Sequence, residues 1–191
     1  MYKTVVFDLD GTLLNTLTDL ADAGNRLCRK YGWPTHERQA YRYFVGNGIP
    51  KLVERLAPAD QRTPAVLEAA LADFKRDYGQ HLRDTTAPYP GIPEMLAKLK
   101  ANGVQLAVFS NKADALAKEV VKDYFGTQYF TIVRGQMTGV APKPAAEGTN
   151  ALLQALHADP ASTLYVGDSN VDVETAHNAN LPCCGAVWGF R

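Results

Sequence analysis

The chain has 191 residues, 46% of them hydrophobic and 21% charged, enough apolar content to bury a sizeable core in one large domain or in one domain with a modest insert. Twenty basic residues balance twenty acidic ones, so no general field draws the protein to nucleic acid or an anionic membrane, and any anion site must be local. No stretch approaches the ~20 apolar residues of a membrane span, and the three cysteines, Cys28, Cys183 and Cys184, are an odd number with two adjacent, which predicts a soluble protein in a reducing, cytoplasmic setting.

Residues 4–7 are a continuous β-branched and aromatic run without polar alternation, the pattern of a strand buried on both faces of a parallel sheet, and Asp8 stands at its carboxyl end. Thr16 followed by Asp19 reads as a helix cap. Leu17, Leu20, Ala21, Leu27, Cys28 and Tyr31 then recur at helical spacing until Gly32 and Pro34. From there to about Thr86 the signals are helical, with Leu52, Val53 and Leu56 followed by Leu67, Leu71, Phe74 and Tyr78 behind a Thr63-Pro64 start.

Past Pro88 and Pro90 helix and strand alternate. A helix runs from about Ile92 to Lys100 and stops at Asn102-Gly103; a strand from Gln105 to Phe109 ends at Ser110. Helices at 113–124 and 145–156 then alternate with strands at 129–133 and 163–166, the last running into Gly167-Asp168. This alternation predicts an α/β fold with a doubly wound parallel sheet. Residues 1–14 and 87–191 are assigned to its core and residues 15–86 to an inserted, all-helical cap. Cys183 and Cys184 read as core or strand residues, and His36, His81, His157 and His177 have no ligand-like spacing.

Open parallel sheets bind ligands outside the carboxyl ends of their strands, where Asp8, Ser110 and Asp168 all fall. A carboxylate such as Asp8 can attack phosphorus without a base to ionise it, forming an acyl phosphate. That attack brings an anion to a dianionic ester, so a divalent cation is required, with Asp168 as a second hard oxygen ligand. Carboxylates without clustered Cys or His suit Mg2+, and a backbone carbonyl could complete the set. Asp10, two residues beyond the nucleophile, is placed to protonate the leaving oxygen and then deprotonate water. Gly11 lets the chain turn beneath a phosphate, Thr12, Ser110 and Asn111 offer donors to its oxygens, and Lys143, between Pro142 and Pro144, supplies a fixed cation. Asp172, one helical turn after Asp168, is a supporting residue that orients Lys143 or a metal-bound water.

These elements, Asp8-Leu9-Asp10-Gly11-Thr12, Ser110-Asn111-Lys112, Lys143-Pro144 and Gly167-Asp168-Ser169-Asn170-Val171-Asp172, resemble in type and order the haloacid dehalogenase superfamily, whose core is Rossmann-like. The early helical insert, the stretch Phe44-Val45-Gly46-Asn47-Gly48-Ile49-Pro50 and the closing Trp188-Gly189-Phe190 look like its phosphoglycolate phosphatase branch. The resemblance implies that Asp8 is the nucleophile and Asp10 the general acid and base. It also implies that Asp8, the Asp10 backbone oxygen and Asp168 bind Mg2+, and that Ser110 and Lys143 hold the phosphoryl group. Four features depart from the family pattern: Asn15 for an acid, Ala146 for a second proline after Lys143, Ala179-Asn180 for Ala-Gly, and an end at Arg191 where relatives usually continue through another strand and helix. None removes a catalytic group.

The expected substrate is a small phosphorylated metabolite, 2-phosphoglycolate first, with no nucleic-acid or membrane partner. Its carboxylate calls for a cation or donor in the cap, for which Asn47, Gly48 and Lys51, with Arg42 and Arg55, are the candidates. A sugar phosphomutase, a dehalogenase and a catalytically silent binding module on the same scaffold are the competing readings. The dehalogenase fits less well because that branch typically lacks the second acid, which Asp10 supplies.

Overall fold

The computed structural model describes residues 1–191, and the chain divides into two compact units. One comprises Met1–Asn15 and Pro88–Arg191, the other Thr16–Ala87. Each is built around its own apolar contacts.

The first unit holds a five-stranded parallel sheet. Strand β1 (Thr4–Phe7) lies at its centre. The two-residue strands β2 (Leu14–Asn15) and β3 (Ala87–Pro88) mark where the chain leaves this unit and returns. Strands β4 (Gln105–Ala113), β5 (Phe130–Gln136), β6 (Thr163–Gly167) and β7 (Cys183–Gly185) complete the set, in the order β5-β4-β1-β6-β7. β1 pairs with β4 on one side, Phe7 opposite Val108, and with β6 on the other, Phe7 opposite Val166. The chain therefore builds outward from β1 in both directions, and the carboxyl end of β1 is the switch point where such sheets bind ligands.

All four residues of β1 are buried, as a strand covered on both faces requires. Val6, Ala107, Phe109 and Tyr165 pack with Leu152, Leu153 and Leu156 of α7 (Ala146–Leu156) and Ala176 of α8 (Asn170–Asn178). The alternate residues Val5, Phe7, Leu106 and Val108, equally buried, point to the opposite face. Helices α5 (Ile92–Ala101) and α6 (Asp114–Phe125) pack on β4, and α6 also on β5.

The second unit is helical: α1 (Leu17–Tyr31), α2 (Arg38–Phe44), α3 (Ile49–Leu56) and α4 (Pro64–Gln80). Gly24 on α1 lets Tyr41 of α2 lie against the helix backbone, where a Cβ would meet the Tyr41 ring at 2.5 Å. The Asn25 Oδ1 accepts from the Tyr41 hydroxyl at 2.9 Å and from the His36 N–H at 2.9 Å. No helix of the protein is long and apolar enough to cross a membrane.

Two local expectations are corrected. Thr16 is the N-cap of α1, but its hydroxyl makes no capping bond. Asp19 turns away from the helix start and accepts from the backbone N–H and hydroxyl of both Thr85 and Thr86 at 2.5–2.9 Å, a better set of donors than a helix terminus offers. Strand β4 does not end at Phe109 but continues to Ala113, with its register against β5 broken between Phe109 and Ala113. Cys183 and Cys184 are strand residues, one of the two places the sequence allowed, and are exposed because β7 is the sheet's edge.

Candidate active site

The ladder delivers Asp8 to the switch point. Its N–H donates to the Val166 carbonyl at 2.8 Å, carrying the β1–β6 pairing one residue past the strand. The chain then turns sharply: Gly11 has φ +93°, and a Cβ there would strike the Asp168 carboxylate. Only glycine takes this conformation freely and leaves room for that side chain. Asp168 follows β6, so two carboxylates from adjacent strands share one mouth. Ser110 and Lys143 are buried beside them.

Lys143 sits in the loop between β5 and α7 with its ammonium almost fully enclosed. Its Nζ donates to Asp8 Oδ1 at 2.7 Å, Asp172 Oδ1 at 2.8 Å, the Phe109 carbonyl at 3.2 Å and the Tyr165 hydroxyl oxygen at 3.2 Å. Asn111 secures the loop itself: its Oδ1 accepts from the Lys143 N–H at 2.9 Å and its Nδ2 donates to the Lys143 carbonyl at 3.2 Å. The Asn111 side chain thus holds Lys143, where the sequence suggested a donor to phosphate. The Thr12 hydroxyl likewise donates to Asp168 Oδ1 at 3.4 Å.

Asp172 completes a capping box at the start of α8. Its Oδ2 accepts from the Ser169 N–H at 3.1 Å and the Ser169 hydroxyl at 2.7 Å, leaving Oδ1 for Lys143. Asp168 is held from the far end of the sequence. The Phe190 N–H donates to its Oδ2 at 2.7 Å, Trp188 Nε1 donates to the Thr12 carbonyl at 3.0 Å, and a Cβ on Gly189 would collide with the Asp168 side chain and meet the Gly11 carbonyl. Asp168 is therefore pinched between two glycines, Gly11 and Gly189.

Ligand atoms of Asp8, Asp168 and Asp172 all lie within 4.8 Å of one another. Three carboxylates face one ammonium, which leaves two negative charges uncompensated. Burial pushes the Asp8 carboxyl up to about 8; Lys143 opposes the shift, and the neighbouring Asp172 and Asp168 add to it. Burial also raises Asp168 to about 6, against the Phe190 hydrogen bond. Burial opposes the charges of Lys143 and Asp172 too. Asp172 and Asp8 nevertheless hold Lys143 well above the ordinary lysine value, and Lys143 and Ser169 hold Asp172 below the usual carboxylate range. Lys143 and Asp172 are thus the established ion pair, and Asp8 and Asp168 are the carboxylates short of positive charge.

Asp10 stands apart from this cluster: both its oxygens contact the Lys112 Nζ, at 3.2 and 3.4 Å. Lys112, Tyr165 and the 188–190 segment are the participants that residue-by-residue reading did not assign. A lysine after a strand reads as solvated, a tyrosine inside an apolar run reads as core, and a backbone N–H carries no side-chain signal.

In the helical unit, Asn47 and Gly48 lead into α3, with Gly48 its N-cap, and Lys51 lies in the first turn of α3. Arg55 donates to the Tyr43 and Phe44 carbonyls at 3.2 and 2.7 Å and to Asn47 Oδ1 at 2.9 Å. Lys51 pairs with Glu54 at 2.8 Å, and Arg42 donates to Gln39 at 3.4 Å.

A buried carboxylate at the switch point of a doubly wound sheet, beside a second acid and a caged lysine, defines a hydrolase class, and sequence comparison gives it a family. Residues 5–186 match the haloacid dehalogenase-like hydrolase family, and the chain belongs to it. It is 31% identical over 192 residues to the phosphoglycolate phosphatase of Thiobacillus denitrificans, covering 99% of this chain and 85% of the relative. It is 32% identical over 191 residues to that of Neisseria meningitidis, covering 98% and 81%. The crystal structure of a candidate phosphoglycolate phosphatase from Lactobacillus delbrueckii subsp. bulgaricus superposes with a TM-score of 0.93 at 29% identity, covering 100% of this chain and 88% of that one.

Proposed function

We propose that the protein is a Mg2+-dependent phosphatase acting on a small phosphate monoester, with 2-phosphoglycolate as the favoured substrate. The observation that carries this reading is the buried Asp8 carboxylate, held by Lys143 at 2.7 Å within a cluster of three carboxylates that share this one ammonium. Asp8 and Asp168, with the Asp10 backbone oxygen, are the groups that would hold the metal; Asp172 is committed to Lys143 and Ser169. The donor set is all oxygen, which suits Mg2+, and the two surplus negative charges fit a divalent ion. When bound, the metal supplies charge neutralisation and alignment of the phosphoryl group.

The residues then divide the chemistry. Lys143 and the donors around Ser110 draw the phosphoryl oxygens to Asp8. An Asp8 carboxylate oxygen forms a bond to phosphorus as the ester oxygen leaves, and the Asp10 carboxyl gives its proton to that oxygen. Asp10 then takes a proton from water, which attacks phosphorus and breaks the Asp8 O–P bond, releasing phosphate and restoring the free carboxylate. The relatives named phosphoglycolate phosphatase support the substrate, and the helical unit serves as the cap that selects it, with Asn47, Gly48 and Lys51 as its contacts.

Asp8→Asn tests the nucleophile. With Mg2+ and a panel of small phosphate esters, the native protein turns over 2-phosphoglycolate fastest and the variant loses at least about a thousandfold in kcat. Undiminished hydrolysis by Asp8→Asn rules out the mechanism; a flat panel rules out the substrate alone.

A further inference from the structure

We propose that Lys112 is the positioning residue for Asp10, an inference that rests on Asp10 being the general acid. The Lys112 side chain is 3% exposed and that of Asp10 21%. The ammonium therefore grips the carboxylate from inside the protein while the carboxylate faces outward. Taking a lysine ammonium out of water costs several kcal/mol unless a partner compensates it, and a lysine needed only for solubility would stay solvated.

The backbone carrying Lys112 is also fixed. Its N–H donates to Ser110 Oγ at 3.2 Å. Gly135 lies so close that a Cβ would strike the Lys112 carbonyl, and the Gly135 N–H is itself held by Asp114 Oδ1 at 3.0 Å. This crowding falls where the register of β4 against β5 breaks, between Phe109 and Ala113. The end of β4 is thus a rigid mount, and contact to both Asp10 oxygens restrains the two side-chain torsions that decide where the carboxylate oxygens point. Proton transfer depends on that orientation.

Lys112 makes no contribution to phosphorus or metal in this role, so its removal should matter only as far as Asp10 matters. An alkyl phosphate expels a basic alkoxide and needs the proton; p-nitrophenyl phosphate expels a stable phenolate and hardly does. For Lys112→Met the expected loss in kcat/KM on 2-phosphoglycolate exceeds that on p-nitrophenyl phosphate by at least about tenfold, Lys112→Arg recovers most of it, and adding Lys112→Met to Asp10→Asn costs nothing further. Thermal melts establish that the variants fold, and Lys112→Gln carries the same comparison if the methionine variant does not. Equal losses on both esters, or additive losses in the double variant, overturn the inference and leave the phosphatase reading standing. Native protein inactive on both esters overturns that reading and this one with it.

Discussion

In the core unit, Lys143 meets Asp8 and Asp172 with side-chain exposures of 2%, 11% and 1%; in the helical unit, Lys51 meets Glu54 with exposures of 46% and 38%. The two contacts are alike in length and opposite in consequence. A solvated pair contributes at most about 1 kcal/mol and rearranges readily, so Lys51 can exchange Glu54 for another anion. The buried group cannot relax. Removing one partner strands the others, and the cluster is fixed before any substrate arrives. The core cluster is held where water is excluded, and the Lys51–Glu54 pair lies where its side chains are solvated.

The largest effect that sharpens this contrast comes from Lys143→Met. It leaves Asp8 and Asp172 buried without their cation and should lower stability by about 3–5 kcal/mol in metal-free protein, read by denaturant unfolding, while turnover falls below detection. A loss under about 1 kcal/mol breaks the contrast. Gly189→Ala comes next. A methyl group there displaces Asp168 and should weaken Mg2+ binding about 10- to 100-fold by calorimetry, with the fold retained.

The pH dependence follows with a smaller effect. The Asp8 carboxyl is raised in the folded protein from 3.8 to about 8, and Asp168 to about 6. A raised acid favours the folded state while protonated, so metal-free stability should fall as pH climbs from about 4 toward 8, the Asp168 share being lost by about 6. Mg2+ at this site would compete with those protons, so at one fixed concentration its stabilisation, roughly 2.7 kcal/mol where that concentration is a hundredfold above Kd, should be larger near pH 8 than near pH 5.5 in thermal melts against a chelator control. An equal shift at both pH values contradicts the charge deficit assigned to the site. The smallest effect belongs to Lys51→Ala, which should raise KM for 2-phosphoglycolate about tenfold or less and leave p-nitrophenyl phosphate unchanged, with stability within about 0.5 kcal/mol of native.

The positions of Asp8 and Asp168 were legible because each follows a strand, and a buried run such as residues 4–7 announces its strand. Asp172 was read instead from its spacing, one helical turn after Asp168. Partners were not. Nothing in the spacing distinguishes Asp19 as a helix cap from Asp19 as the acceptor for Thr85 and Thr86, since that depends on two segments 66 residues or more apart meeting. The Thr12 hydroxyl meets Asp168 and the Asn111 side chain meets Lys143, contacts that spacing alone does not reveal. Sequence identifies a donor; only packing says which acceptor reaches it first. For Cys183 and Cys184 the sequence left core and strand open, because a strand's composition does not say whether it lies at the centre or the edge of its sheet; they are strand residues at the edge.

The pinch on Asp168 joins two parts of the chain that lie 176 positions apart at the Thr12–Trp188 contact. Because the Phe190 N–H and the absent Cβ of Gly189 fix the carboxylate that would hold metal, seating of the 188–190 segment and occupancy of the proposed metal site would be thermodynamically coupled, and such coupling is reciprocal. Metal should therefore slow amide exchange at Phe190 as surely as a loosened segment should weaken metal. That backbone amide then serves as a gauge of an ion it never touches.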